Sequence, residues 1–267
     1  MQFRGASAEA AAALTDQVGG VAEATAGAVA GDLYSLAQSL RAEGALRRFV
    51  TDQTTPEQAR KGLVTEVFGG KVDAAALDLL TAAVGRRWTR TRDLADALEQ
   101  ISVVASVRAA GGEGDRVVAE LFTVREAVNG DAGLRGALSD PARSLADKES
   151  LVDDLLAGKA LPSTVALTKQ ALGGSYRTVT AALEDYEKVA ADVLGERVAT
   201  VHVARELTAA DADRLAGALS RQYDRPVHLN VVVDPALIGG LRVEIGDDVI
   251  DGTILSRLDD ARRKIAG

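Results

Sequence analysis

The sequence predicts a mainly α protein: two tandem, related helical bundles followed by a small α+β C-terminal domain. Three observations carry this. Hydrophobic residues make up 47 % of the 267, yet aromatics are only 3 %, so alanine and leucine supply the core, a composition suited to close-packed helices. A shift of 88 lays residues 33–101 on 121–189 without a gap. Near residue 196 the helical spacing of apolar residues gives way to alternation.

The repeat sets the domain count. Leu33 meets Leu121, Tyr34 meets Phe122, Leu46-Arg47 meets Leu134-Arg135 and Asp52 meets Asp140. Leu63-Val64 then meets Leu151-Val152, Gly70-Lys71 meets Gly158-Lys159, Gly85 meets Gly173, Trp88 meets Tyr176, and Glu99 meets Glu187. Matches fall at apolar positions and turn glycines, as a duplicated fold requires. The first bundle is assigned to residues 1–110, the second to 111–195 and the α+β domain to 196–267. The helix expected over 92–110 can end one bundle and begin the next.

Within the first copy, Thr55-Pro56-Glu57-Gln58 predicts an N-cap threonine, proline at the first helical position and a capping-box glutamine. That helix carries Leu63, Val64, Val67 and Phe68 and stops at Gly69-Gly70; Asp73 caps the next, which runs to Gly85. In the second copy a helix through Leu151 and Leu156 stops at Gly158, and Ser163 opens another that ends at Gly173-Gly174. A long helix is expected from about Ser175 to Gly195. Val198–Val203 reads as a strand, and Thr208 with Asp211 as a capping-box start for a helix reaching Tyr223.

Composition excludes several function classes. With no cysteine there is no disulfide framework, thiolate metal site or cysteine nucleophile. A net charge of −8 argues against a general phosphate-binding surface, hence no nucleic acid. Arg86, Arg87, Arg90 and Arg92 around Trp88 could bind single strands. The preferred reading is a helix end, with arginines near the last carbonyls and Trp88 packed inward. The longest uncharged run is about nine residues, against the roughly twenty of a membrane-spanning helix. The alanine-rich start lacks a basic leader with an apolar core and does not read as a signal peptide.

No catalytic, metal or cofactor site emerges. His202 and His228 fall in strands without HExxH-like spacing and read as solvent-facing. Gly69-Gly70-Lys71 lacks the phosphate-loop spacing and follows a helix. Asp247, Asp248 and Asp251 lack the alternate ligands and terminal glutamate of a calcium loop, so they read as turn aspartates.

The most informative stretch runs from Val227 to Ile254. Val227, Leu229, Val231 and Val233 alternate on one face, Asp234-Pro235 breaks the strand, and Gly239-Gly240 turns the chain. Leu241, Val243 and Ile245 resume the alternation, a turn at Gly246-Asp247-Asp248 leads to Val249-Ile250, and Asp251-Gly252 precedes a last amphipathic helix. Val227, Leu229, Val233, Asp234, Leu237, Gly239, Gly240, Leu241, Val243, Glu244 and Gly246 stand at the spacing of a family signature. It resembles that of the delta subunit of F-type ATP synthases, whose mitochondrial counterpart is the oligomycin-sensitivity-conferring protein.

The second copy is similar to the ordinary N-terminal bundle of that family. The first is extra and resembles the lengthened delta subunits of actinobacteria. The resemblance implies a non-catalytic stator subunit that joins the catalytic head to the peripheral stalk, so that proton-driven rotation is coupled to ATP synthesis. It also implies no cofactor, and a peripheral location at the cytoplasmic face of the cell membrane, reached only through the complex. By the same analogy a bundle receives the N-terminal helix of an α subunit, and the C-terminal domain meets the b subunit. A groove lined by Leu121, Val124, Val165 and Leu172 is expected to take the helix. Which copy does so stays open, and a generic helical adaptor remains the alternative reading.

Overall fold

The computed structural model describes residues 3–246 and 248–253. Asp247, Ile254 and the expected last helix lie outside the described residues. Two compact units divide the chain at Ala190, residues 1–190 and 191–267.

The helical unit contains α1 (Ala6–Val18), α2 (Glu23–Ala42), α3 (Gly44–Thr51), α4 (Glu57–Phe68), α5 (Ala74–Gly85) and α6 (Asp93–Ala109). It continues with α7 (Gly114–Gly130), α8 (Ala132–Ser139), α9 (Leu145–Leu156), α10 (Pro162–Gly173) and most of α11 (Val179–Val193), which runs past Ala190. Adding 88 to the bounds of α3, α4 and α5 gives those of α8, α9 and α10. The expected boundary at residue 110 falls just after α6. This helix packs on α1, α2 and α5 and also on α7 and α10, so both copies use it. It is buried all round, from Leu94 through Ile101 to Val107, with Asp93 and Asp96 in its first turn and Arg108 in its last, where each favours the helix dipole.

The repeat extends to hydrogen bonds. Asp32 on α2 accepts from the Asp73 amide at 2.7 Å, and Glu120 on α7, 88 residues later, accepts from the Leu161 amide at 2.8 Å. Each carboxylate satisfies a donor at the start of a helix in its own copy. At the opposite end, Arg47 Nη1 donates to the carbonyls of Leu40 and Arg41, and Arg135 Nη1 donates to that of Asn129. The free carbonyls that close α2 and α7 are thus covered in the same way. Gly70 (φ 71°) and Gly158 (φ 67°) both turn the chain after the fourth helix of their copy.

Helix starts differ from expectation in three places. α4 begins at Glu57 with Pro56 in the cap position and no side-chain cap, so Thr55 does not serve; Asp52 Oδ1 organises the preceding turn by accepting from Thr54. α10 begins at Pro162 rather than Ser163, because Glu120 takes the Leu161 amide and the Thr164 hydroxyl. α11 begins at Val179, four residues after Ser175. Asp73 and Thr208 cap as expected, accepting from Ala75 at 2.8 Å and Asp211 at 3.2 Å. Trp88 is buried and donates Nε1 to the Ala83 carbonyl, as the helix-end reading requires.

The second unit holds β1 (Arg197–Val203), α12 (Ala209–Tyr223), β2 (Val227–Val233), β3 (Leu241–Ile245) and β4 (Asp248–Asp251), in sheet order β2-β1-β3-β4. β1 and β2 run parallel through the α12 crossover, whereas β3 pairs antiparallel with both β1 and β4. Ala199, Val201, Val203, Val227, Val243 and Ile245 form the core face with Leu219 of α12, and Leu229 and Val231 pack against it. Val233 departs from the expected face: it ends an edge strand and is 44 % exposed. Asn230, on the other face, is buried. His202 and His228 share that second face, away from the core.

The Gly239-Gly240 turn has a specific cause. Gly240 sits at φ +85°, and a Cβ there would lie 2.8 Å from Thr253 Cα. Gly240→Val is therefore expected to cost more than the roughly 1 kcal/mol of a simple glycine replacement, because left-handed strain and a backbone clash add to it. Hydrogen exchange at the Val201 and Val243 amides measures this; unchanged protection would show that the turn tolerates a side chain.

Candidate functional site

The helical unit offers an apolar cleft between α7, α8, α9 and α10. Val124, Val128, Leu134, Leu138, Leu155 and Thr168 line it around a cavity of about 180 Å³. Leu155 is 39 % exposed at its rim. Side-chain size explains the opening. One repeat earlier, the positions of Val124, Val128 and Thr168 are held by Leu36, Leu40 and Leu80, all fully or almost fully buried. Smaller groups in the second copy leave space that close packing would otherwise fill.

The four groove residues expected from sequence do not come together. Val124 lines the cleft, whereas Leu121 is wholly buried in the core and presents no surface. Val165 borders a separate depression with Leu156, Pro162 and Lys169. Leu172 is half-buried and borders neither. Helical periodicity placed them on apolar faces but could not say which faces the neighbouring helices cover.

A second feature is polar. Glu99 of α6 is fully buried, and it accepts from Arg41 of α2, from the Tyr186 hydroxyl of α11 at 2.5 Å and from the Ser175 amide at 3.2 Å. Arg41 also reaches Asp96 at 3.0 Å. Ser102 and Gln170 bond to each other at 2.8 Å beside this cluster, and the Tyr34 hydroxyl donates to the Gln170 carbonyl at 3.0 Å. One repeat on, Glu187 is also buried and faces Arg125 at 3.6 Å. A buried charge is tolerated only when paired and hydrogen-bonded. The match of Glu99 with Glu187 was the only sequence signal for these pairs.

Burial sets the protonation of this cluster. It raises Asp96 despite Arg41 alongside, and raises Tyr186, with the Glu99 carboxylate adding to the shift. Tyr176 is raised by burial and by Asp185, to which its hydroxyl bonds. Tyr34 is pushed up to about 12, by burial first and then by Glu99.

In the second unit, the loop from Val203 to Thr208 and the segment Ile238–Leu241 border an open depression of about 720 Å³. Ile238 on its edge is 71 % exposed, the largest apolar exposure among the described residues. Asp234 ends β2 by accepting from the Ala236 amide at 2.9 Å, and its own amide donates to the Val203 carbonyl. Among the described residues no three metal-ligating side chains converge, and no helix is long and apolar enough to cross a membrane.

Comparison with known proteins follows the same division. The family model "ATP synthase delta (OSCP) subunit" matches residues 103–265, a span that begins inside α6 and omits most of the first copy. A Nocardioides protein named ATP synthase subunit delta is 58 % identical, covering 99 % of this chain and 98 % of its own. Proteins of the same name from Kineococcus radiotolerans and Streptomyces coelicolor are 42 % and 37 % identical, covering 91 % and 99 % of this chain. Those of Nocardioides and Streptomyces coelicolor match along nearly the whole chain, the first copy included.

A pH dependence follows from the buried phenols. Unfolded Tyr34 ionises near its ordinary 10.0 and folded Tyr34 only near about 12, so between these values the unfolded chain binds fewer protons. The stability from the neutral phenol is fully present below 10.0 and lost as pH rises through about 12. Denaturant midpoints across that window should fall, and Tyr34→Phe should flatten the fall; an unchanged slope would remove Tyr34 from the account.

Proposed function

The chain belongs to the ATP synthase delta (OSCP) subunit family, and on that footing we propose which of its surfaces meet which partners. It is a non-catalytic stator subunit of the F-type ATP synthase. It joins the catalytic head to the peripheral stalk, so that rotation of the central stalk drives synthesis rather than turning the head. This work needs tight binding and stiffness, and no reactive centre.

Residues 1–110 are read as the extra bundle copy, 111–195 as the family's ordinary N-terminal bundle and 196–267 as the signature domain. The cleft between α7, α8, α9 and α10 receives the N-terminal helix of an α subunit. The single observation behind this is an open apolar slot, walled by Val124, Leu134 and Leu155, inside the span that matches the family. An amphipathic helix would seat one or two apolar side chains there. The signature domain meets the b subunit, for which the exposed Ile238 beside its depression is the reading's main support. A stable contact needs roughly 1,200–2,000 Å² of buried surface, more than either depression alone provides. The subunit is peripheral and sits at the cytoplasmic face of the cell membrane, held there by the complex.

Leu155→Asp tests the first assignment, because an exposed rim position tolerates a charge in the free chain while a helix seated over it does not. Purification of the tagged chain from solubilised membranes should lose α and keep b. Retention of α with this variant would move the α-subunit site elsewhere, and loss of both subunits from the unaltered chain would sink the partner assignment as a whole.

A further inference from the structure

We propose that Glu99 is a positioning residue that locks the two bundles into one rigid body. Its carboxylate is 0 % exposed and binds groups of both copies: Arg41 from α2 of the first, and Tyr186 with the Ser175 amide from the second. The repeat separates what belongs to a bundle from what joins two. Glu187 occupies the equivalent place on α11 and pairs with Arg125 of α7 inside its own copy, although Arg125 is not the counterpart of Arg41, whose place Asn129 holds. The Tyr186 and Ser175 bonds are different, since they come from the neighbouring copy and reach Glu99 because α6 serves both. Gly174 leaves the room this needs, for a Cβ there would collide with the Glu99 carboxylate. Its counterpart in the first copy is Arg86.

Directional bonds are what such a joint requires. Interdigitated apolar faces hold helices by shape alone, whereas a buried carboxylate adds a directional constraint, because losing a partner leaves a charge unpaired. Beside Glu99, Ser102 with Gln170 ties α6 to α10, and Gln38 with the Gly173 carbonyl ties α2 to α10. The lock holds whether or not the α7–α10 cleft takes a partner helix.

The chain has no cysteine, so Glu66→Cys on α4 and Asp154→Cys on α9 place one spin label on each bundle of the full chain. Pulsed electron–electron resonance should give a single narrow distance distribution. Glu99→Ala is expected to lose it for a broad one, with Tyr186→Phe, which deletes one hydroxyl donor and no packing, falling between. Arg125→Met, which breaks the pair internal to the second bundle, should leave the distribution narrow. If Glu99→Ala does not fold, the comparison of Tyr186→Phe with Arg125→Met decides. A distribution that stays narrow in the Glu99 and Tyr186 variants, or widens equally in the Arg125 variant, overturns the lock.

Discussion

The burial of α6 on all sides is the constraint on which the helical unit depends. A helix with one buried stripe can belong to one bundle; one buried around its circumference is enclosed on every side, here by helices of both copies. Leu94, Leu98, Ile101, Val103, Val104 and Val107 are all buried. Ser7 of α1, Arg41 of α2 and Gln170 of α10 reach polar groups along it from different sides. The duplication therefore did not produce two beads on a string. The last helix of one copy is the first of the next, and residues 1–190 form one compact unit.

Sharing a helix imposes an electrostatic condition. Glu99 lies where solvent cannot reach, so each of its lone pairs needs a protein partner. The same logic at smaller scale governs the helix starts. Asp32 and Glu120 occupy matching positions and each takes an amide at the beginning of the fifth helix of its copy. Aspartate and glutamate differ in length, yet the function persists because an orphan amide must be satisfied whichever carboxylate is offered. Packing differs between the copies more than polar satisfaction does: Leu36, Leu40 and Leu80 stand where the second copy has Val124, Val128 and Thr168, which border its cleft.

The sheet unit shows the complementary case, where local pattern nearly suffices. Alternation along β1 and β3 agrees with burial residue by residue, because both strands have neighbours on either side in the sheet. In β2 it is blurred: Leu229 and Val231 are half-buried, Asn230 on the opposite face is buried, and Val233 at the open end of this edge strand is exposed. Gly240 stands where the returning chain passes too close for any side chain.

By itself the sequence determined the element types, the 88-residue repeat and the family. Periodicity, turn glycines and a spaced signature are local properties, legible without knowing what packs on what. The Thr55 and Ser163 starts were misjudged because carboxylates elsewhere, Asp52 at the Thr54 amide and Glu120 at the Leu161 amide, organise the chain just before each helix. The groove was only partly legible: Val124, Leu121, Val165 and Leu172 all lie on apolar helix faces, and only the arrangement of α7 to α10 decided that Val124 would line a cleft and Leu121 the core. Glu99 could be seen to repeat as Glu187, but its partners come from sequence positions 41, 175 and 186. Tertiary structure alone brings those together, because the energy of a buried charge depends on neighbours that no local pattern names.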